Sequence, residues 1–143
     1  KLTGAIREVD RRHLVTVGVI PWALVFKGAK PLFHGSEVGK PLDFVAVHFY
    51  PRKGEIDEAL KALRVYEVGK PLLIEEMFPL DCGFEEMETF IGKSAEQTDG
   101  WISFYWGKTI DEYKEQDDLG GAILAKWLET FRRLSPVKQE PED

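Results

Sequence analysis

Lys70-Pro71-Leu72-Leu73-Ile74-Glu75-Glu76-Met77-Phe78 is the stretch on which the fold of this chain turns. It is a short apolar run that ends abruptly in two carboxylates. A run that apolar and that short reads as a strand buried on both faces, as in a parallel sheet covered by helices. A carboxylate at the C-terminal end of such a strand costs desolvation energy. In α/β barrels that end is also where active sites are built. Glu75 or Glu76 is therefore the first candidate for chemistry.

Outward from this strand, the chain alternates between two periods. Residues 14–20 are β-branched and bounded by Pro21, and residues 43–50 form a second strand stopped by Pro51. Residues 100–106 make a fourth strand, ended by Gly107. Leu2, Ile6 and Val9 lie at helical spacing in residues 2–12. Residues 55–68 read as an amphipathic helix with Ile56, Leu60, Leu63 and Val65 inward and Gly69 as its stop. Residues 84–94 form another helix, acidic in its first turn as the dipole prefers. After a polar loop, residues 121–134 form the last helix, with Ile123, Leu124, Trp127, Leu128 and Phe131 on one side. Residues 22–40 are loop-like, punctuated by Gly28, Pro31, Gly35 and Gly39. This order predicts an α/β domain of four parallel strands with flanking helices and right-handed crossovers. The domain spans 1–134, and the Pro-rich, acidic residues 135–143 read as a disordered tail. Four strands are few for a closed barrel, so the sheet expects more.

Bulk properties narrow the function. The 143 residues are 43% hydrophobic and 31% charged, enough for one domain with a real core. The net charge of −6, with no cluster of Lys and Arg, argues against a nucleic-acid partner. The one dense basic spot, Arg11-Arg12-His13, ends a helix, where cations suit the macrodipole. No run is long enough to span a membrane and no signal peptide is visible. The chain opens on Lys1 without an initiator Met, so upstream sequence is expected to have been removed or left out. Cys82, the only cysteine, sits in the turn Asp81-Cys82-Gly83 with no His or Cys partner; it reads as an incidental thiol, and no metal or cofactor site is legible. The compartment is not legible either.

The strand ends hold residue types that belong together. Alternation puts His48 and Tyr50 on one face, with Val45, Val47 and Phe49 on the other. It puts Glu76 in phase with Leu72 and Ile74, and Glu75 on the opposite face in a supporting role. Trp106 falls in phase with Phe104. Carboxylate, imidazole, phenol and indole at strand tips suit a carbohydrate site: aromatic faces stack on sugar C–H surfaces, His and Tyr bond hydroxyls, and a carboxylate attacks the anomeric carbon. The plainer readings are a helix cap or rim ion pair for Glu76, a backbone-bonded core histidine for His48, and core packing for Trp106.

Three of these motifs, in order, resemble retaining (β/α)8 glycoside hydrolases of the cellulase/mannanase type. Leu42-Asp43-Phe44-Val45-Ala46-Val47-His48-Phe49-Tyr50-Pro51 resembles their sixth strand, Lys70 to Met77 their seventh, and Gly100-Trp101-Ile102-Ser103-Phe104-Tyr105-Trp106 their eighth. Residues 14–20 then fall in place as the fifth. The resemblance implies the C-terminal half of a TIM barrel. It implies Glu76 as nucleophile, His48 and Tyr50 as substrate-binding and nucleophile-positioning residues, and Trp106 as the floor of a sugar subsite. The ligand would be an oligo- or polysaccharide. A retaining enzyme also needs a general acid/base about 5–5.5 Å from the nucleophile. In this family it lies in an Asn-Glu pair ending strand four, and this chain contains no Asn. The resemblance therefore implies half an active site, inactive or nearly so alone, completed by a missing N-terminal half or a homodimer. A non-catalytic carbohydrate-binding domain and an oligomeric assembly domain are the alternatives.

Overall fold

The computed structural model describes residues 1–104 and 107–134. The chain divides into two compact units, the first being Lys1–Phe104. In that unit four strands form one sheet in the order β1 (Gly18–Val19), β2 (Val45–His48), β3 (Leu72–Met77) and β4 (Gly100–Ser103), and every neighbouring pair is parallel. Helix α1 (Leu2–Val9) precedes β1, and α2 (Trp22–Val25), α3 (Ile56–Leu63) and α4 (Phe84–Ser94) lie in the three connections. The α/β class with four parallel strands and flanking helices is the one predicted.

Register decides which side chains share a face. Val45 pairs with Leu72, Val47 with Ile74, and Ile74 with Trp101. Phe49 stacks on Phe90 of α4 with ring centroids 5.6 Å apart, and the Trp101 indole N–H donates to Ser94 Oγ at 3.1 Å. This face therefore carries helices, and Val45, Val47, Phe49, Leu72, Ile74 and Phe90 are buried in its core. The other face differs. Leu73 is only half-buried there, and Ile102 and Phe104 remain 51% and 46% exposed. The apolar run of β3 thus has one face in a core and one face partly open, where its composition predicts burial on both.

The N-terminal ends of the strands are held by polar staples. The Lys70 ammonium donates to the carbonyls of Gly39, Lys40 and Leu42. Asp99 accepts from the Leu72 amide at 2.8 Å, and Asp43 accepts from the Val15 amide at 2.6 Å and from Arg7 of α1. The Val15 amide and then the Arg7 guanidinium hold the Asp43 carboxyl below its usual range. These contacts explain why the first strand is shorter than predicted. Thr16 Oγ1 donates to Phe44 O at 2.7 Å and the Asp43 amide to Val15 O at 2.8 Å, so 15–16 are tied to the residues just before β2 largely through side chains, and regular pairing is confined to Gly18 and Val19.

The loop-like residues 22–40 contain α2 and a 3-10 turn, Leu32–His34. His34 is buried, and its Nε2 lies 2.9 Å from Val17 O and 3.3 Å from Ala46 O, bridging β1 and β2. Two carbonyl partners require that nitrogen to carry the proton. Burial disfavours the charged ring and pulls the His34 pKa below the ordinary 6.5, outweighing the two carbonyls. The sign follows. The unfolded chain takes up a proton near 6.5 and the folded chain does not, so His34's contribution is present above that value and lost as pH falls below it. Urea midpoints measured at about pH 7.5 and about pH 5.5 are expected to drop more for wild type than for His34→Gln. Equal drops would remove His34 as the cause.

Between β2 and β3 the predicted single helix is split. Helix α3 ends at Leu63 and tightens into a 3-10 turn, Arg64–Tyr66, which buries Tyr66 and leaves Val65 half-buried. The second unit holds α5 (Ile110–Lys114) and α6 (Leu119–Leu134). Helix α5 falls in the predicted polar loop and starts at a capping box in which Thr109 and Glu112 exchange hydrogen bonds. Gly121 lets α6 approach Tyr113 O closely, because a Cβ there would sit 2.8 Å from that oxygen. Lys114 and Glu129 close the pair at 2.6 Å.

Candidate active site

The site grows from an irregularity in β3. Val47 pairs with Ile74, but the next residue of β2, His48, pairs with Glu76. The other neighbour records the same extra residue: Ile74 pairs with Trp101 and Met77 with Ser103. Glu75 is thus the inserted residue of a β-bulge. Bulges break the two-residue alternation and re-aim side chains. Both glutamates consequently reach the same imidazole. Glu75 lies opposite Leu72 and Ile74, but Glu76 is not in phase with those two, as strict alternation had predicted; the bulge turns it onto Glu75's face, so the two glutamates share a face where opposite ones were expected.

His48 Nε2 lies 3.2 Å from Glu75 Oε1, and its Nδ1 lies 3.6 Å from Glu76 Oε2. Only the first is short enough for a hydrogen bond. Tyr50 Oη donates to Glu76 Oε1 at 2.5 Å. Burial, then the bond to Glu76 and its charge, push the Tyr50 phenol well above its usual range, so it remains a donor. The backbone joins in, with the Phe49 amide donating to Glu76 O at 2.8 Å. The Tyr50 ring meets Phe104 edge-on at 6.4 Å. The two carboxylates and the imidazole are each about a quarter to a third exposed, so a solute can reach them from the open face.

Of the residues named from sequence, Glu76, His48 and Tyr50 are brought together. Trp106 lies outside the described residues, as do Tyr105 and the 135–143 tail. Two participants were missed as such. Glu75 was read as a supporting residue, and what no two-residue pattern reveals is the bulge that brings Glu76 onto its face. Gly18 of β1 provides room, because a Cβ there would overlap Glu75 Oε1 and lie 3.0 Å from His48 Nε2. Phe104 was placed only as the partner in phase with Trp106. Elsewhere, Cys82 is half-buried, and burial with the Glu86 and Asp81 charges raises its thiol to about 11, so it stays protonated. Among the described residues, no group of three His, Cys, Asp or Glu could hold a metal ion, and no helix is long and apolar enough to cross a membrane.

The arrangement has a definite chemical capacity. With Oε1 occupied by Tyr50, Glu76 Oε2 is the oxygen left to meet an incoming carbon. No protein-family model, curated protein or solved structure matches the chain.

Proposed function

We propose that this chain is the C-terminal half of a retaining glycoside hydrolase barrel and carries its nucleophile, Glu76. The observation that carries this reading is the Glu76 carboxylate at the C-terminal end of a central parallel strand, with one oxygen held by Tyr50 at 2.5 Å and the other facing His48. A carboxylate fixed in this way is pre-aimed, which is what covalent attack at an anomeric carbon requires. His48 and Tyr50 hold it and bond sugar hydroxyls; Trp106 is assigned as the sugar platform. The second carboxylate comes from outside this chain, from an N-terminal half or a second copy.

The surface supports incompleteness. The apolar stripe of α1 is bare, with Leu2 and Val9 more than four-fifths exposed, and Leu14 and Ile20 beside β1 are more than half exposed. Strands β1 and β4 each have one paired neighbour. Bare edges and apolar faces of this kind favour association. They also favour a second reading, an assembly domain in which the strands serve oligomerisation alone.

Incubation with a panel of dinitrophenyl 2-deoxy-2-fluoro-β-glycosides, followed by intact-mass spectrometry, separates the two. Glu76 Oε2 attacks the anomeric carbon while the bond to dinitrophenolate breaks and its electron pair leaves on the phenolate. That leaving group needs no proton, so the absent general acid does not block the step. One sugar adduct mapping to Glu76, and lost in Glu76→Gln, is the expected result. No adduct with any sugar overturns the working nucleophile and leaves the assembly reading.

A further inference from the structure

Glu75 has three features that Glu76 does not share. It is the extra residue of the β3 bulge, its carboxylate bonds His48 Nε2 at 3.2 Å, and it lies over the one position in β1 that has no side chain. A carboxylate so close to a candidate nucleophile has two available roles. It could be the second catalytic carboxylate, or it could act through another residue.

Geometry decides between them. Retaining chemistry places the sugar carbon between its two carboxylates. Here the space between Glu75 and Glu76 is filled by the His48 ring, whose two nitrogens face one carboxylate each. A ring already there leaves no place for a sugar. We therefore infer that Glu75 is a positioning residue: it pins the His48 imidazole so that Nδ1 faces the free oxygen of Glu76, and Gly18 is the gap that admits it.

The chemistry of the contact is one-directional. An ionised carboxylate only accepts hydrogen bonds, so Nε2 is the nitrogen that carries hydrogen, as assigned from the bonding pattern. That bond fixes the ring about its own axis and leaves Nδ1 no direction but Glu76. A side chain at residue 18 would occupy the Glu75 oxygen's place, break its bond to the ring and crowd His48 Nε2 at 3.0 Å. Two substitutions on different strands should thus produce one defect.

This inference rests on Glu76 being the nucleophile only for its catalytic meaning, and the test separates the two. A nitrogen-bound imidazole proton is visible by 15N–1H correlation when a hydrogen bond slows its exchange with water. In the isotope-labelled full chain, His48 Nε2–H should be visible in wild type and in Glu75→Gln, whose amide oxygen still accepts. It should vanish in Glu75→Ala and Gly18→Ala. The first-order rate of fluoro-sugar trapping should fall on the order of 10–100-fold in both, because misplacing a reacting group by an ångström costs about that much. The inhibitor's dissociation constant should hold, and Gln should restore most of the rate. Gly18→Ala should cost less on top of Glu75→Ala than it costs alone. A persistent Nε2–H signal in Glu75→Ala overturns the proposal, as does a Gln variant as slow as Ala, which would mean charge and not orientation. If wild type traps no sugar but the proton signals behave as stated, the positioning holds and the glycosidase reading fails.

Discussion

Phe90→Ala is expected to lower the unfolding free energy by about 3–5 kcal/mol, and Ile102→Ser to change it by no more than about 0.5 kcal/mol. Both are large apolar residues beside the same sheet, so composition alone does not separate them. Their faces do. Phe90 is fully buried and stacked on Phe49 in the core between α4 and β2. Truncating it removes transfer free energy and leaves a cavity lined by Phe49 and its neighbours. Ile102 is 51% exposed on the face that carries His48 and the two glutamates. Against a total stability of about 5–15 kcal/mol, the Phe90 loss is a large share and should move the urea midpoint visibly at unchanged slope. Comparable losses for the two variants would mean that the open face is covered in solution, which a mass measurement on the same samples would expose as self-association.

That asymmetry also marks how far the sequence could be read. Helix α4 was legible to the residue, because Gly83 precedes it, Glu85 and Glu86 start it, and Met87, Phe90 and Ile91 repeat at helical spacing. The parallel order of β2, β3 and β4 was legible from strand–helix alternation. Burial of both faces of β3 was not, because Leu72, Leu73 and Ile74 are equally apolar and only neighbours decide which of them is covered. The short elements α2 and α5 were missed for a similar reason. Four or five residues are too few to show a period, and the Thr109–Glu112 capping box was the one local sign of α5. At the site, residue types pointed to Glu76, His48 and Tyr50, which do meet. The facing of His48 and Tyr50 was read correctly and that of Glu76 was not, since a bulge changes parity without changing composition. Gly18, and the shared face of Glu75 and Glu76, became visible only once two neighbouring strands supplied a register.

Azide should accelerate turnover of an activated dinitrophenyl β-glycoside by this chain on the order of 10²–10⁴-fold, the range that general acid–base catalysis contributes. The first step needs a nucleophile and a good leaving group, which on the proposed reading are Glu76 and dinitrophenolate. The second step ordinarily needs a base to take a proton from water, and the sequence contains no Asn-Glu pair to provide it. Water therefore attacks the glycosyl ester slowly, and the chain should release one equivalent of dinitrophenolate and then stall. Azide is already an anion and needs no base. Its nitrogen attacks the anomeric carbon, the ester C–O bond breaks, and the electron pair returns to the Glu76 carboxylate. Two inversions give a β-glycosyl azide, identifiable by its anomeric proton coupling. A burst with azide rescue and a β product would fit a nucleophile separated from its acid/base. Steady turnover without azide would mean that a second copy, or another group in this chain, already serves as the base. An α-azide would show direct displacement and would remove Glu76 from the covalent role.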